Sequence, residues 1–373
     1  MKNISLYQLS QSHFVNKLTS GLTKLLAANI FLILIIFCGV SCAAQQHTLL
    51  ALSKGDHTLA IVDANTLKVI ARVPVGSDPH EVIASSDGKT AYVSIYGGGS
   101  LYEINVIDLV NKKPLFNIDT RPLFGPHGLA FQDGKLWFTA EGSKAIGCYD
   151  PATKKVEWCM GTGQDRTHMI YVTADGKNIY TTNVSSGTVS ILVNSAPAER
   201  APGSSPAGAG QHPSVPPLRG QSHSQWEQTV VPVSGSSEGF DVTPDGRQLW
   251  AASAADGTIT IIDLATRKVS ATINAKVLGA NRLAFTPDGK LALVSSLRTG
   301  DLYVFNVASH KELKRINLGH GGAGILVNAD GSKAFVGCTP DNYVAVVDLK
   351  TMEVAGHIDV GQGPDGLALA VRN

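Results

Sequence analysis

The chain has little charge. Asp, Glu, Lys and Arg together make up 16% of its 373 residues, and 31 Lys+Arg against 30 Asp+Glu leave a formal net charge of +1. Such a balance excludes an electrostatic footprint for nucleic acid or for an anionic membrane surface. Several motifs of common chemistry are missing as well. There is no Gly-rich phosphate loop, no Cys-x-x-Cys-His haem attachment run and no Ser-centred nucleophile elbow. The many Asp-Gly pairs lack calcium-loop spacing and read as hairpin turns. Aromatics are sparse at 6%, whereas glycine is plentiful at 38 residues. Little charge with much glycine is the composition of a β protein rich in tight turns.

Residues 26–40, LAANIFLILIIFCGV, form an apolar run behind Lys17 and Lys24, followed by small residues in SCAAQQ. The arrangement is that of a signal peptide over residues 1–44. Two cuts fit it. One falls after Ala44. The other treats GVSC as a loose lipobox, with Gly39 in the usual leucine position, and makes Cys42 a lipid-modified first residue. A single anchored membrane helix is the third alternative, for which the run is short. Each places the body outside the cytoplasm, in the periplasm or cell envelope, with membrane contact only through the anchor.

Of the five cysteines, Cys38 and Cys42 belong to this export segment. Cys148 and Cys159 flank a hairpin in CYDPATKKVEWC. Pairing of Asp150 with Lys155 puts them diagonally on one face, either as a disulfide or as two half-buried thiols. Cys338 reads as a buried strand thiol.

The remainder is a repeat. SSDGKTAYVSIYG, FQDGKLWFTAEG, TADGKNIYTTNVSSG, TPDGRQLWAASAADG, TPDGKLALVSSLRTG and NADGSKAFVGCTPDN share one layout. Each is followed by a second hairpin such as ITIIDLATRKVSATI. Four short strands in about 40 residues is the signature of a β-propeller blade. The C-terminal GPDGLALAVRN supplies a first strand without successors. The N-terminal TLLALSKGDHTLAIVDANTLKVIARVPVG supplies three strands without a first. Joined, they make one split blade, and the expected fold is an all-β, seven-bladed propeller over residues 45–373. Residues 195–226, rich in Pro, Ser, Gly and Ala, read as a disordered insertion between the third and fourth strands of blade four, and His212 and His223 fall in it.

PDGRQLWAAS, DGKTAYVSIYG and GPDGLALA resemble the YVTN-type β-propeller repeat over nearly all of residues 48–373. The resemblance implies a seven-bladed propeller of the secreted or periplasmic superfamily that includes amine dehydrogenase heavy chains and the nitrous oxide reductase propeller. Members include enzymes, redox-partner subunits and binding proteins, so the resemblance leaves activity open.

The 11 histidines are not scattered evenly. Seven residues before the Asp of each Asp-Gly turn stand His80, His168, Glu238, Asn281 and Ala323. Blade three is one residue shorter and contributes His127 through PHG. PDGL set against PHGL adds Asp365. Around the ring the column reads Asp365, His80, His127, His168, Glu238, Asn281, Ala323, at the start of each innermost strand. Five neighbouring blades thus direct Asp, three His and Glu to one channel mouth. His80, His127, His168, Glu238 and Asp365 are a ligand set for zinc, copper, iron or manganese. The alternatives are a metal-free ligand or catalytic site, with His127 or His168 as base and Glu238 as acid, or structural histidines.

The turn after each second strand reaches the same face with Tyr96, Glu141, Asn183 and Arg298. The loops leading into the inner strands add Arg121, Asp165 and Arg166. Arg166 and Arg298, with Glu141 and Asn183, are the candidate groups for holding a cofactor or a substrate anion. His57, His310 and His357 read as surface residues. The expected partners are a small molecule or metal ion, with a redox or cell-envelope protein as a further one. A lactonase- or lyase-type enzyme fits the same face, although the fuller Gly-Pro-Arg-His and Phe-His-Pro-Asp-Gly pattern of propeller lactonases is missing. A scaffold without chemistry is the last reading.

Overall fold

The computed structural model describes residues 46–195 and 225–372. The signal segment, with both cleavage points, lies outside these, as does most of the insertion. Seven four-stranded antiparallel sheets follow one another round a ring, six of them built from four consecutive strands. The seventh combines Pro364–Arg372 with Gln46–Ser53, Thr58–Asp63 and Val69–Pro74, so the two ends of the repeat region share a blade. We number this split blade one. In blade four the third strand runs through Ser195 and the fourth starts at Gln225. The two are directly paired, so strand residues occupy both ends of the stretch expected to be an insertion.

Burial follows position within the blade. Second and third strands are apolar on both faces, as in TAYVSI and EINVID, because each sheet is covered by a neighbouring blade on either side. Core clusters accordingly draw on two blades at once. One joins Leu50, Leu52, Leu59 and Ile61 of blade one to Val82, Val93 and Ile95 of blade two. Outermost strands alternate or face solvent, as in KPLFNID. The Asp-Gly turn recurs because it is chemically complete. Gly88 takes φ +66°, and the Asp87 carboxylate accepts the amide of Lys89 at 3.1 Å and the hydroxyl of Ser85 at 2.6 Å.

The hairpin of Cys148 and Cys159 departs from expectation. Asp150 does pair with Lys155, but a bulge beyond Cys148 sets Cys148 opposite Trp158 and Cys159 opposite Gly147. One extra residue turns the two thiols to opposite faces, so both are free, Cys148 buried and Cys159 exposed. Cys338 is buried, and burial pushes its thiol up to about 12. His57 and His357 are exposed; His310 is partly covered, packing edge-on against Trp250.

Candidate functional site

The column aligned from the sequence is a column of β-bulges. In every blade the pairing of first and second strands skips at the same place. Pro79 faces Ile95 and Val82 faces Val93, leaving His80 and Glu81 opposite Ser94 alone. The same break encloses His127, His168, Glu238, Asn281, Ala323 and Asp365. A bulge bends the strand and re-aims the side chain of the extra residue. Here it turns seven successive residues toward one point, and all seven line a single cavity of about 360 Å³.

Two local devices hold the bulges. The residue facing the bulge is a hydroxyl in several blades, and it reaches the column carbonyl of the next blade. Thr139 donates to the His168 carbonyl at 2.5 Å, Thr182 to that of Glu238 at 3.0 Å and Ser295 to that of Ala323 at 2.7 Å. The residue after the column position is glycine in blades one, three, five and seven. A Cβ on Gly128 would lie 2.5 Å from the His168 carbonyl oxygen, and one on Gly366 2.4 Å from that of His80. Glycine there is required by the close approach of adjacent inner strands.

On the side of blades one and two, Lys54 stands among the column residues. Its ammonium donates to His80 Nε2 at 2.8 Å and to Asp365 at 3.3 Å, and lies 3.7 Å from Asp78. Asp78 is itself 3.0 Å from His80 Nε2. The other ring nitrogen, His80 Nδ1, is 3.1 Å from His127 Nε2. The His127 ring lies against that of His168, with centroids 3.9 Å apart and planes tilted by 33°, and its Nδ1 is buried without a partner. Burial, followed by the charge of Lys54, pulls the His80 pKa down against the pull of Asp365 and Asp78. For His127, burial and then His168, His80, Arg282 and Lys54 all act in one direction and hold it well below the ordinary histidine range.

On the side of blades three to five, His168 Nδ1 is bound to the Glu141 carboxylate, whose second oxygen accepts the Tyr96 hydroxyl. Burial raises the Glu141 pKa, but the hydrogen bond and charge of His168, with Tyr96 and Arg166, overcome it and lower it overall. Burial and the same carboxylate push Tyr96 up to about 12, so it stays a donor. His168 Nε2 lies 4.0 Å from Glu238. Glu238 is held by Asn281 at 2.9 Å and Arg166 at 3.5 Å.

Beneath both halves, Arg282 of blade six is bonded to Glu81 of blade two. Among the described residues it is the one ion pair joining blades that are not neighbours. Both residues are buried, and both occupy the position after the column. Burial raises the Glu81 pKa. Burial also opposes the charge on Arg282, but Glu81, Asp365 and Glu238 outweigh it and raise its pKa.

The structure therefore brings together His80, His127, His168, Glu238, Asp365 and Arg166. Glu141 stands behind His168. Asn183 lies outside the cavity lining, buried and bonded to Thr188 and Ser190. Arg298 is exposed and also outside the lining. Arg121 pairs with Asp119 over the Tyr102 ring, and Asp165 with Lys144, so neither enters the site. Lys54, Glu81 and Arg282 were not anticipated. Among the described residues no three His, Cys, Asp or Glu side chains are arranged to hold a metal ion. Lys54 lies between His80 and Asp365, and Glu141 takes one nitrogen of His168.

No protein-family profile and no curated protein sequence matches the chain. Solved structures do. A protein of unknown function from Desulfotomaculum acetoxidans aligns at 13% identity with a TM-score of 0.68, over 87% of this chain and 99% of the other. A Bacteroides uniformis protein assigned provisionally as a 6-phosphogluconolactonase aligns at 14% and 0.65, over 87% and 99%. The dihydro-heme d1 dehydrogenase NirN aligns at 16% and 0.57, over 84% and 64%. At these identities the likeness concerns the fold, and the chain is a seven-bladed β-propeller.

Proposed function

We propose that the mouth cavity is a metal-free acid–base site that hydrolyses a small ester or lactone. One observation carries the reading. His168 is clamped at Nδ1 by Glu141 while its Nε2 faces Glu238 at the cavity wall. A carboxylate bonded to Nδ1–H fixes the tautomer and leaves Nε2 as the basic lone pair. In this reading Nε2 takes a proton from water as the water oxygen bonds to the carbonyl carbon. Arg166 faces the charge that develops on the carbonyl oxygen. The carbon–oxygen bond to the leaving alkoxide then breaks, and imidazolium returns the proton to that oxygen. Water and lactone give one hydroxy acid. Glu238, held by Asn281 and Arg166, orients the water. The provisional 6-phosphogluconolactonase among the structural neighbours makes lactones the first class to test.

The test is acid release from a lactone panel in a pH-stat. Glu141→Gln and His168→Asn should each lower the rate by roughly 10²–10⁴-fold. Variants that match the parent, or a parent inert on every lactone and ester, would remove this reading. The metal reading has its own support in the 3.1 Å between His80 Nδ1 and His127 Nε2, a spacing two ligands of one ion adopt. Near-stoichiometric zinc, copper, iron or manganese in the purified protein, lost in a folded His80→Ala variant, would put it first. Export is part of the proposal too. The intact mass of the mature protein separates a cut after Ala44 from a lipidated Cys42.

A further inference from the structure

The cavity wall is chemically lopsided. Blades one to five line it with Lys54, Tyr96, three histidines, Arg166, Glu238 and Asp365, whereas blades six and seven contribute Asn281, Leu297, Ala323 and Thr339, their one charge being Arg282, which is neutralised by Glu81. Ala323 is the one apolar residue in the seven-membered column. Leu297, on the adjoining turn, is 46% exposed although it lines the cavity. The Thr339 hydroxyl is turned away, donating to the Pro364 carbonyl at 2.8 Å. In a seven-membered ring, blades six and seven stand across the channel from blade three. A neutral, partly apolar sector therefore faces the histidines.

A ligand that presents a polar group to His168 extends its remainder toward this sector. We propose that the ligand is amphipathic: a carbonyl head among the histidines, and a short aliphatic arm seated on Leu297 and Ala323. The inference rests on the reading of the cavity as an ester or lactone site and narrows its substrate class. Ala323 sets the room for the arm, because any larger side chain at that bulge enters the cavity. Leu297 supplies the surface that the arm removes from water.

The probes are γ-butyrolactones bearing methyl to butyl groups at the γ-carbon, and the sodium salts of the corresponding 4-hydroxy acids. Calorimetry reads the affinity of the salts, and the pH-stat reads kcat/KM of the lactones. Each added methylene should tighten binding by about fourfold until the sector is filled. Ala323→Leu should abolish the gain of propyl and butyl over methyl. Leu297→Asn, on an exposed rim position that does not crowd the blade, should flatten the series. Lactone hydrolysis with no dependence on arm length would overturn the inference and leave the acid–base reading standing. A chain-length gradient in the affinity of the acids without hydrolysis would support the inference and remove that reading. Failure of every probe to bind would overturn both.

Discussion

His127 shows what the site asks of a single residue. Its imidazole is 1% exposed, packed against the ring of His168 and bonded through Nε2 to His80, with two further cations, Arg282 and Lys54, acting on it. The folded protein keeps it neutral, while in the unfolded chain it titrates near 6.5. Its folded pKa is the lower of the two, so below 6.5 the unfolded state takes up the extra proton. The stability contributed above that pH is lost as pH falls, at up to about 1.4 kcal/mol per pH unit. Urea unfolding at pH 6.5 and 5.5 checks the sign. The parent should lose about 1 kcal/mol more across that interval than a His127→Gln variant. An equal loss in both would mean that His127 is charged in the folded state. The seven column residues were legible in the sequence because each keeps a near-constant distance to an Asp-Gly turn. Lys54 was not, although it stands in the turn after the second strand of the split blade, the position that Tyr96 and Glu141 occupy in theirs, because that turn has no repeated residue type to mark it. Arg282 and Glu81 stand one residue past the column. Their position alternates with glycine around the ring, a pattern that becomes meaningful once the bulge is known.

The inner strand with its bulge is the element that makes the site. Without the bulge, period-two alternation would turn the column side chains toward the blade interfaces. The sequence carries no direct mark of a bulge, and so leaves the orientation of the histidines open. The hydroxyls facing it and the glycines following it are marks in hindsight. Two strands from different sides of the ring are tied by Glu81 and Arg282. Removing one partner of a buried pair leaves an uncompensated charge and costs about 3–5 kcal/mol. Arg282→Met alone should therefore lower unfolding stability by that amount, whereas Glu81→Leu with Arg282→Met should cost far less than the sum of the two single changes. Additive losses in a double-mutant cycle would show that the pair carries no coupling. The Cys148 hairpin gives the converse lesson. Its turn was read correctly from Asp150 and Lys155, yet one unmarked bulge reversed the relation between the two thiols.

At the scale of the whole molecule, repeat count and closure were legible because every blade states its four strands in the same order. Composition marks 195–226 as an insertion, but Ser195 and Gln225–Trp226 inside those bounds are strand residues, and Ser195 pairs with Gln225. Replacing residues 196–224 with an Asn-Gly turn should therefore preserve the propeller. It should hold or raise unfolding stability, by up to about 2 kcal/mol from the shorter loop. A large loss on thermal or urea unfolding would assign those residues a structural role.

The split blade has a consequence in time. Pro364–Arg372 is the last of the ring's strands in chain order, and it brings Asp365 to meet Lys54, which follows the first of them. A nascent chain can hold six column residues and still own neither a ring nor a complete cavity. It carries an open edge along Gln46–Ser53 until the final strand arrives. The mouth cavity therefore comes into being in one late step. The same hydrogen bonds that lock the architecture also serve as its certificate of completion.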